Sequence, residues 1–213
     1  MKELQNLSRR AGRADLDRAT ETVTFAFQHD PVWSVALARP DGRVDHHAAY
    51  WRLFVDAAAS QGGVWMMGDA AAVSVWVPPG GVELGPDGVA ALERFNLEWL
   101  GSDGARQMAE LYERFDANHP ASEPHAYLSL LATHPDHRGR GIGQGLLAED
   151  LARWDAAGTP TYLESTNPAN DHRYERAGFR RVGGFTAVRD GAPISTMWRE
   201  VGGPGRDTTE PPA

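Results

Sequence analysis

Six residues, Arg138-Gly139-Arg140-Gly141-Ile142-Gly143, narrow the folds open to this chain more than any other feature. They follow Ala126 to Thr133, an apolar-rich run that reads as a strand. They open Gly141 to Ala157, where Ile142, Leu146, Leu147, Leu151 and Trp154 recur at helical spacing. A strand that turns through glycines into a helix gathers unpaired backbone N–H groups and the positive end of the helix dipole at one point. Glycine tolerates positive φ and lets an anion come close to the backbone. Arg138 and Arg140 add positive charge. The segment reads as a phosphate or pyrophosphate site, and such a site between strand and helix commits the chain to layers of sheet and helix.

The phosphate ligand is narrowed by what is missing. A P-loop needs Gly-Lys-Ser/Thr, and Lys2 is the only lysine. The dinucleotide pattern G-x-G-x-x-G fails in both registers, because its last glycine falls on Gln144 or on Leu146. What fits is Arg-x-x-Gly-x-Gly, filled by Arg138, Gly141 and Gly143.

Elsewhere the chain reads as alternating elements in part. Asn6 to Arg10 suits a short strand, and Asp15 caps a helix to about Phe27. A second helix covers Asp45 to Ala59. Val64 to Met67 and Ala72 to Val77 form a hairpin around Gly68-Asp69. Two helical stretches, Asp87 to Leu100 and Asp103 to Phe115, are split by Gly101. Thr161 to Glu164 is a strand and Asn170 to Arg176 a helix, ended by Gly178. Phe179 to Val188 and Pro193 to Val201 close a final hairpin. The predicted class is α+β, a twisted mixed sheet of about six to seven strands flanked by helices. Residues 1–201 are expected to form one domain, and 202–213, rich in Gly, Pro, Thr and charge, a tail without fixed structure.

Composition sets outer bounds. The 213 residues carry a formal net charge of -8, which argues against nucleic-acid binding. There is no cysteine, so disulfides, thiolate-bound zinc and a thiol nucleophile are excluded. No apolar run has the ~20 residues of a membrane span, and the first residues do not resemble a secretory signal. A cytoplasmic protein is the expectation. His134-x-x-His137 and His46-His47 lack a third ligand at useful spacing, so no metal is expected. No G-x-S-x-G elbow is present. The seven tryptophans are mostly core by expectation, although Trp33 or Trp99 could stack on a planar substrate.

With these residues in place, the segment from about Glu123 to Trp198 resembles the GNAT acetyltransferase superfamily. The likeness rests on the strand Tyr127 to Thr133, the turn His134-Pro135-Asp136, the loop Arg138 to Gly143, the string Tyr162-Leu163-Glu164-Ser165-Thr166, and Asn170 with Tyr174-Glu175-Arg176-Ala177-Gly178-Phe179. Val64-Trp65, the strand Ala71 to Trp76, His119 and Glu123-Pro124 are similar to the puromycin N-acetyltransferase subgroup.

The resemblance implies an acetyl-CoA-dependent N-acetyltransferase, in which a primary amine attacks the thioester directly in a ternary complex. It implies that backbone groups of Leu131, Ala132 and Thr133 pair with pantetheine. It implies that Arg138, Gly139, Arg140, Gly141, Ile142, Gly143 and Gln144 cradle the pyrophosphate and that Asn170 bonds the pantetheine arm. Tyr174 would protonate the leaving thiolate, as a phenol near pKa ~10 and a thiol near ~8.5 are within reach of each other. Glu164 is the leading candidate for the base, acting through a water, with His119 and His125 as alternatives. The acceptor is expected to be a small molecule, possibilities being an antibiotic or an aminonucleoside-like amine. A protein or peptide amine and a non-catalytic acyl-CoA sensor stand as alternatives. The superfamily supplies both monomers and homodimers.

Overall fold

The structure, a computed structural model, describes residues 7–203. The strands are β1 (Arg9–Arg10), β2 (Val64–Met67), β3 (Ala72–Val77), β4 (Ala126–Thr133), β5 (Thr161–Ser165), β6 (Arg180–Thr186) and β7 (Pro193–Arg199). The helices are α1 (Leu16–Phe27), α2 (Trp33–Ala36), α3 (His47–Ser60), α4 (Pro86–Asn118), α5 (Ile142–Ala156) and α6 (Asp171–Arg176). The seven strands form one sheet in the order β1-β2-β3-β4-β5-β7-β6. All pairings are antiparallel except β4 with β5, so the sheet is mixed, as predicted.

Most elements lie within two residues of their predicted bounds, and three differences have physical causes. The first strand shortens to Arg9–Arg10; Asn6 and the tail beyond Gly203 lie outside the described residues. The two helical stretches around Gly101 run into one another as α4, but Gly101 itself has φ 70 and ψ 179, so the axis breaks where predicted. The turn of helix at α2 went unread because it spans only four residues, too few to show a helical period. Asp30 Oδ1 accepts the N–H groups of Val32 at 3.0 Å and Trp33 at 3.1 Å.

Helices α1, α3 and α4 cover one face of the sheet over Val73, Val75, Leu130 and Ala132. Helix α5 covers the other, over Trp76, Ala126, Leu128 and Leu163. Along β4 the residues 126, 128, 130 and 132 are all buried, which simple alternation would place on a single face. They divide between the two faces because β4 carries one extra residue. Val75 pairs with Leu130 and Trp76 with Leu128, leaving Ser129 unpaired at a bulge. The insertion shifts the phase, so residues before it face α5 and residues after it face α1 and α3.

Candidate active site

The one parallel pairing opens the site. Strands β4 and β5 pair only at Ala126–Thr161 and Tyr127–Tyr162, near their first residues. Beyond that point they diverge, and the edge of β4 from Leu128 to Thr133 has no strand partner on the β5 side. A cleft of about 1160 Å³ runs through the gap. Unpaired backbone N–H and C=O groups along such an edge are ready to bond an extended ligand as though it were another strand.

At one end of the cleft lies the glycine loop. Gly141 caps α5 with φ 75, a left-handed conformation that glycine adopts without strain. Gly143, the second residue of α5, faces Thr133 so closely that a Cβ there would lie 2.3 Å from the Thr133 Oγ1. The helix start is thus drawn onto the end of β4, and its N–H groups open beside the gap. The Arg138 guanidinium reaches across to the Ala26 carbonyl at 3.2 Å and ties the loop to α1.

Of the residues predicted for the coenzyme, Leu131, Thr133, Arg138, Gly139, Gly141, Ile142, Gly143, Gln144, Asn170 and Tyr174 line this cleft, as does Glu164. Two side chains are not among its walls. Ala132 is 1 % exposed and packs into the core on the α1 side, which follows from the phase set by the bulge. Arg140 is exposed, and its Nη1 lies 3.5 Å from His137 Nδ1. Asn170 stands just before α6, accepting a hydrogen bond from Arg173 at 3.0 Å, and Tyr174 sits one turn further on.

Burial, with the Asp30 and Asp171 carboxylates near, pushes the Tyr174 phenol up to about 12. That is several units above a free thiol at about 8.5. The phenol therefore stays protonated at any working pH. The proton is held more tightly than sequence reasoning supposed.

The other end of the cleft is acidic and aromatic. The Glu164 side chain is 2 % exposed; its Oε1 lies 3.4 Å from His119 Nδ1, and its Oε2 has no hydrogen-bond partner. His119 Nε2 in turn lies 3.1 Å from His125 Nε2. The two histidines that sequence reasoning held as alternatives to Glu164 are thus in line with it. Trp33, Trp51, Phe54, Tyr112 and Phe115 form the apolar wall, with Trp33 stacked on Phe115 at 5.9 Å and 9°. Trp99 is elsewhere: it stacks on His46 at 5.9 Å and lies under Arg39.

One cleft residue, Glu83, went unread because it follows the loop Pro78 to Gly81 with no motif around it. Its carboxylate accepts a hydrogen bond from the Ser129 hydroxyl at the bulge. Desolvation, aided by the charge of Glu164 and opposed by the Ser129 bond, pushes it up to about 7. No group of three or more His, Asp or Glu suited to hold a metal occurs among the described residues, nor is any helix there long and apolar enough to cross a membrane.

A gap between two parallel strands, with a helix N-terminus and glycine loop beside it, is suited to an extended ligand that carries phosphate. Residues 99–181 match the family model described as the acetyltransferase (GNAT) domain. A histone acetyltransferase HPA2-related acetyltransferase from Corynebacterium glutamicum has the same fold at 25% identity and TM-score 0.63, over 92% of this chain and 97% of that one. Arylalkylamine N-acetyltransferase 2 from Aedes aegypti superposes with TM-score 0.64 at 12% identity, over 92% and 98%. The ribosomal-protein-S18-alanine N-acetyltransferase from Escherichia coli does so with TM-score 0.52 at 17% identity, over 94% and 97%. Over residues 99–181 the chain is similar to the GNAT acetyltransferase domain, and the solved structures that share its fold include acetyltransferases.

Proposed function

We propose that the protein transfers an acetyl group from acetyl-CoA to the primary amine of a small molecule, by direct attack in a ternary complex. The observation that carries this reading is the continuity of one cleft from the glycine loop to Glu164. The donor and acceptor ends meet between β4 and β5, so both substrates fit at once.

The residues present suit the donor. Gly139 and Gly141 take positive φ, and nothing lies within 4 Å of where a Cβ would stand on either, so their backbone faces are open to a pyrophosphate. The free edge of β4 at Leu131 and Thr133 suits the pantetheine amides, with Asn170 opposite. A backbone N–H of this edge would polarise the thioester carbonyl as charge develops on its oxygen. Tyr174 would supply the proton to the sulfur.

A small-molecule acceptor is favoured by depth. The acceptor end reaches Trp51 and Phe54, which are 1 % and 4 % exposed. A peptide lying over the surface would not reach them. Among the described residues Glu164 is a buried carboxylate with no cation paired to it apart from His119, and an ammonium supplies both charge and donor. The aromatic wall beside it suits an acceptor with an apolar or planar body, which includes aromatic and nucleoside-like amines.

The test is release of free thiol from acetyl-CoA with a panel of primary amines, small molecules and peptides together. Turnover with small amines and little with peptides supports the reading. Turnover confined to peptides would replace it with the peptide-amine reading.

A further inference from the structure

We propose that Glu83 is the general base of the transfer: its carboxylate takes the proton from the acceptor ammonium, while Glu164 holds that ammonium in place. The inference rests on the transferase reading and deepens it by dividing the work between two carboxylates.

The geometry begins at the bulge. Ser129 is the unpaired residue of β4, and a bulge turns its side chain out of the regular alternation. It lines the cleft and donates its hydroxyl to Glu83 Oε1. Ser129 lies two residues before Leu131, on the strand edge where the thioester is expected. The tether therefore fixes the Glu83 carboxylate beside the reacting carbonyl, although Glu83 comes from a distant loop.

The environment separates the two acids. Among the described residues no arginine forms an ion pair with Glu83, and its hydrogen bond comes from a neutral hydroxyl. Burial then dominates and raises its pKa to about 7. An acid near the working pH is the best compromise between being ionised and binding a proton strongly. Glu164 instead faces His119 through Oε1 and has the Tyr127 and Tyr162 hydroxyls close by. Two nearby carboxyl groups in unlike surroundings take unlike roles.

The groups facing Glu83 are Glu164 from β5, His119 and Asp116 near the end of α4, Tyr112 from α4, Tyr50 from α3 and Tyr127 from β4. The three tyrosines are held protonated by burial and do not titrate in the neutral range.

The step balances. The ammonium gives one proton to Glu83, leaving a neutral amine and a carboxylic acid. The nitrogen lone pair forms the C–N bond, the C–S bond breaks, and its electron pair leaves on sulfur. Tyr174 protonates the sulfur and recovers a proton from the amide nitrogen. Glu83 returns its proton to solvent.

The experiment is the pH dependence of kcat, by thiol release with a primary amine that the wild type acetylates, in wild type, Glu83→Gln, Glu164→Gln, His119→Gln and Ser129→Ala. The wild type is expected to lose activity below about pH 7. Glu83→Gln should lower kcat at neutral pH by about 100-fold or more. It should also abolish that acid limb, leave the acetyl-CoA KM within about threefold, and recover at high pH, where the amine is already free. Glu164→Gln should raise the acceptor KM more than it lowers kcat and keep the limb. His119→Gln should keep it too. Ser129→Ala removes the bond that lowers the Glu83 pKa, so the limb should move to higher pH. The proposal is overturned if Glu83→Gln keeps both the limb and its kcat, or if the limb disappears in Glu164→Gln or His119→Gln instead. Should Glu83→Gln fail to bind acetyl-CoA, Ser129→Ala decides, and an unmoved limb overturns the assignment. A wild type that releases no thiol with any amine would overturn the transferase reading itself.

Discussion

Tyr174 reaches the cleft from a helix of six residues, one turn after Asn170, and two carboxylates stand near its phenol. The same burial that sets it in the cleft wall also strengthens its hold on its proton. The proposed donor role runs uphill against a thiolate whose thiol titrates at about 8.5, and this is offset when the phenolate takes a proton from the product nitrogen. Tyr174→Phe is expected to lower kcat by about 100-fold with the acetyl-CoA KM changed far less, as for loss of an interaction made late in the reaction. Steady-state kinetics at saturating acetyl-CoA measures this, and full activity in the variant would remove the acid role. Trp33 and Trp99 make a second comparison at this scale. Trp33 walls the acceptor end whereas Trp99 packs against His46 and Arg39 outside the cleft. Trp33→Ala is predicted to raise the acceptor KM at least about fivefold, in line with the ~1 kcal/mol or more of a lost aromatic contact. Trp99→Ala should leave that KM unchanged and lower only the melting temperature. Equal KM effects would contradict the placement.

The proposed donor site lies where β4 and α5 meet, and the closeness of that meeting is set at Gly143. A Cβ there would come within 2.3 Å of Thr133 Oγ1, so Gly143→Ala must move α5 away from the strand end or turn the threonine. The expected result is a stability loss of about 1–3 kcal/mol and an acetyl-CoA affinity at least about tenfold weaker, since the loop N–H groups no longer converge. Titration calorimetry with CoA checks it; unchanged affinity would show that the close approach does not matter. Much of this junction was legible in the sequence, because glycines, arginines and the helical spacing of Ile142, Leu146, Leu147 and Leu151 are local patterns. The bulge was not. An extra residue at Ser129 leaves every one of residues 126, 128, 130 and 132 apolar, so the pattern looks like unbroken alternation, and only the pairing with β3 reveals the shift. Glu83 was illegible for the same reason: what makes it chemically unusual is its burial beside that bulge, where it accepts a hydrogen bond from the hydroxyl of a residue 46 positions later. Glu164 and Tyr174 were legible because the strings around them resemble a family.

Across the whole molecule, the polar groups outside the cleft also leave a measurable trace. His46 and His47 are 1 % and 3 % exposed, and burial lowers the pKa of both, that of His47 to about 4. An unfolded histidine titrates near about 6.5. Between those values the unfolded chain binds protons that the folded chain refuses, so stability falls as pH drops from about 6.5 toward 4. Each such proton contributes a slope of about 1.4 kcal/mol per pH unit. Glu83, raised to about 7, takes up a proton over the same range and works in the opposite direction, so the histidine share is read by comparison: in thermal melts the wild type should lose more stability between about pH 6.5 and 4 than His47→Gln does. An unchanged slope in the variant would assign the acid sensitivity elsewhere.

The sheet, the open β4–β5 gap and the two-ended cleft together make one claim, that donor and acceptor meet in a single site and react there. It is tested most directly by following thiol release from acetyl-CoA, with and without primary amines, in the same samples in which CoA binding is measured. The account predicts tight CoA binding, negligible thiol release alone, and amine-dependent release matched one for one by acetylated amine. Tight binding with no release for any amine would contradict it and leave a domain that holds coenzyme A without using it.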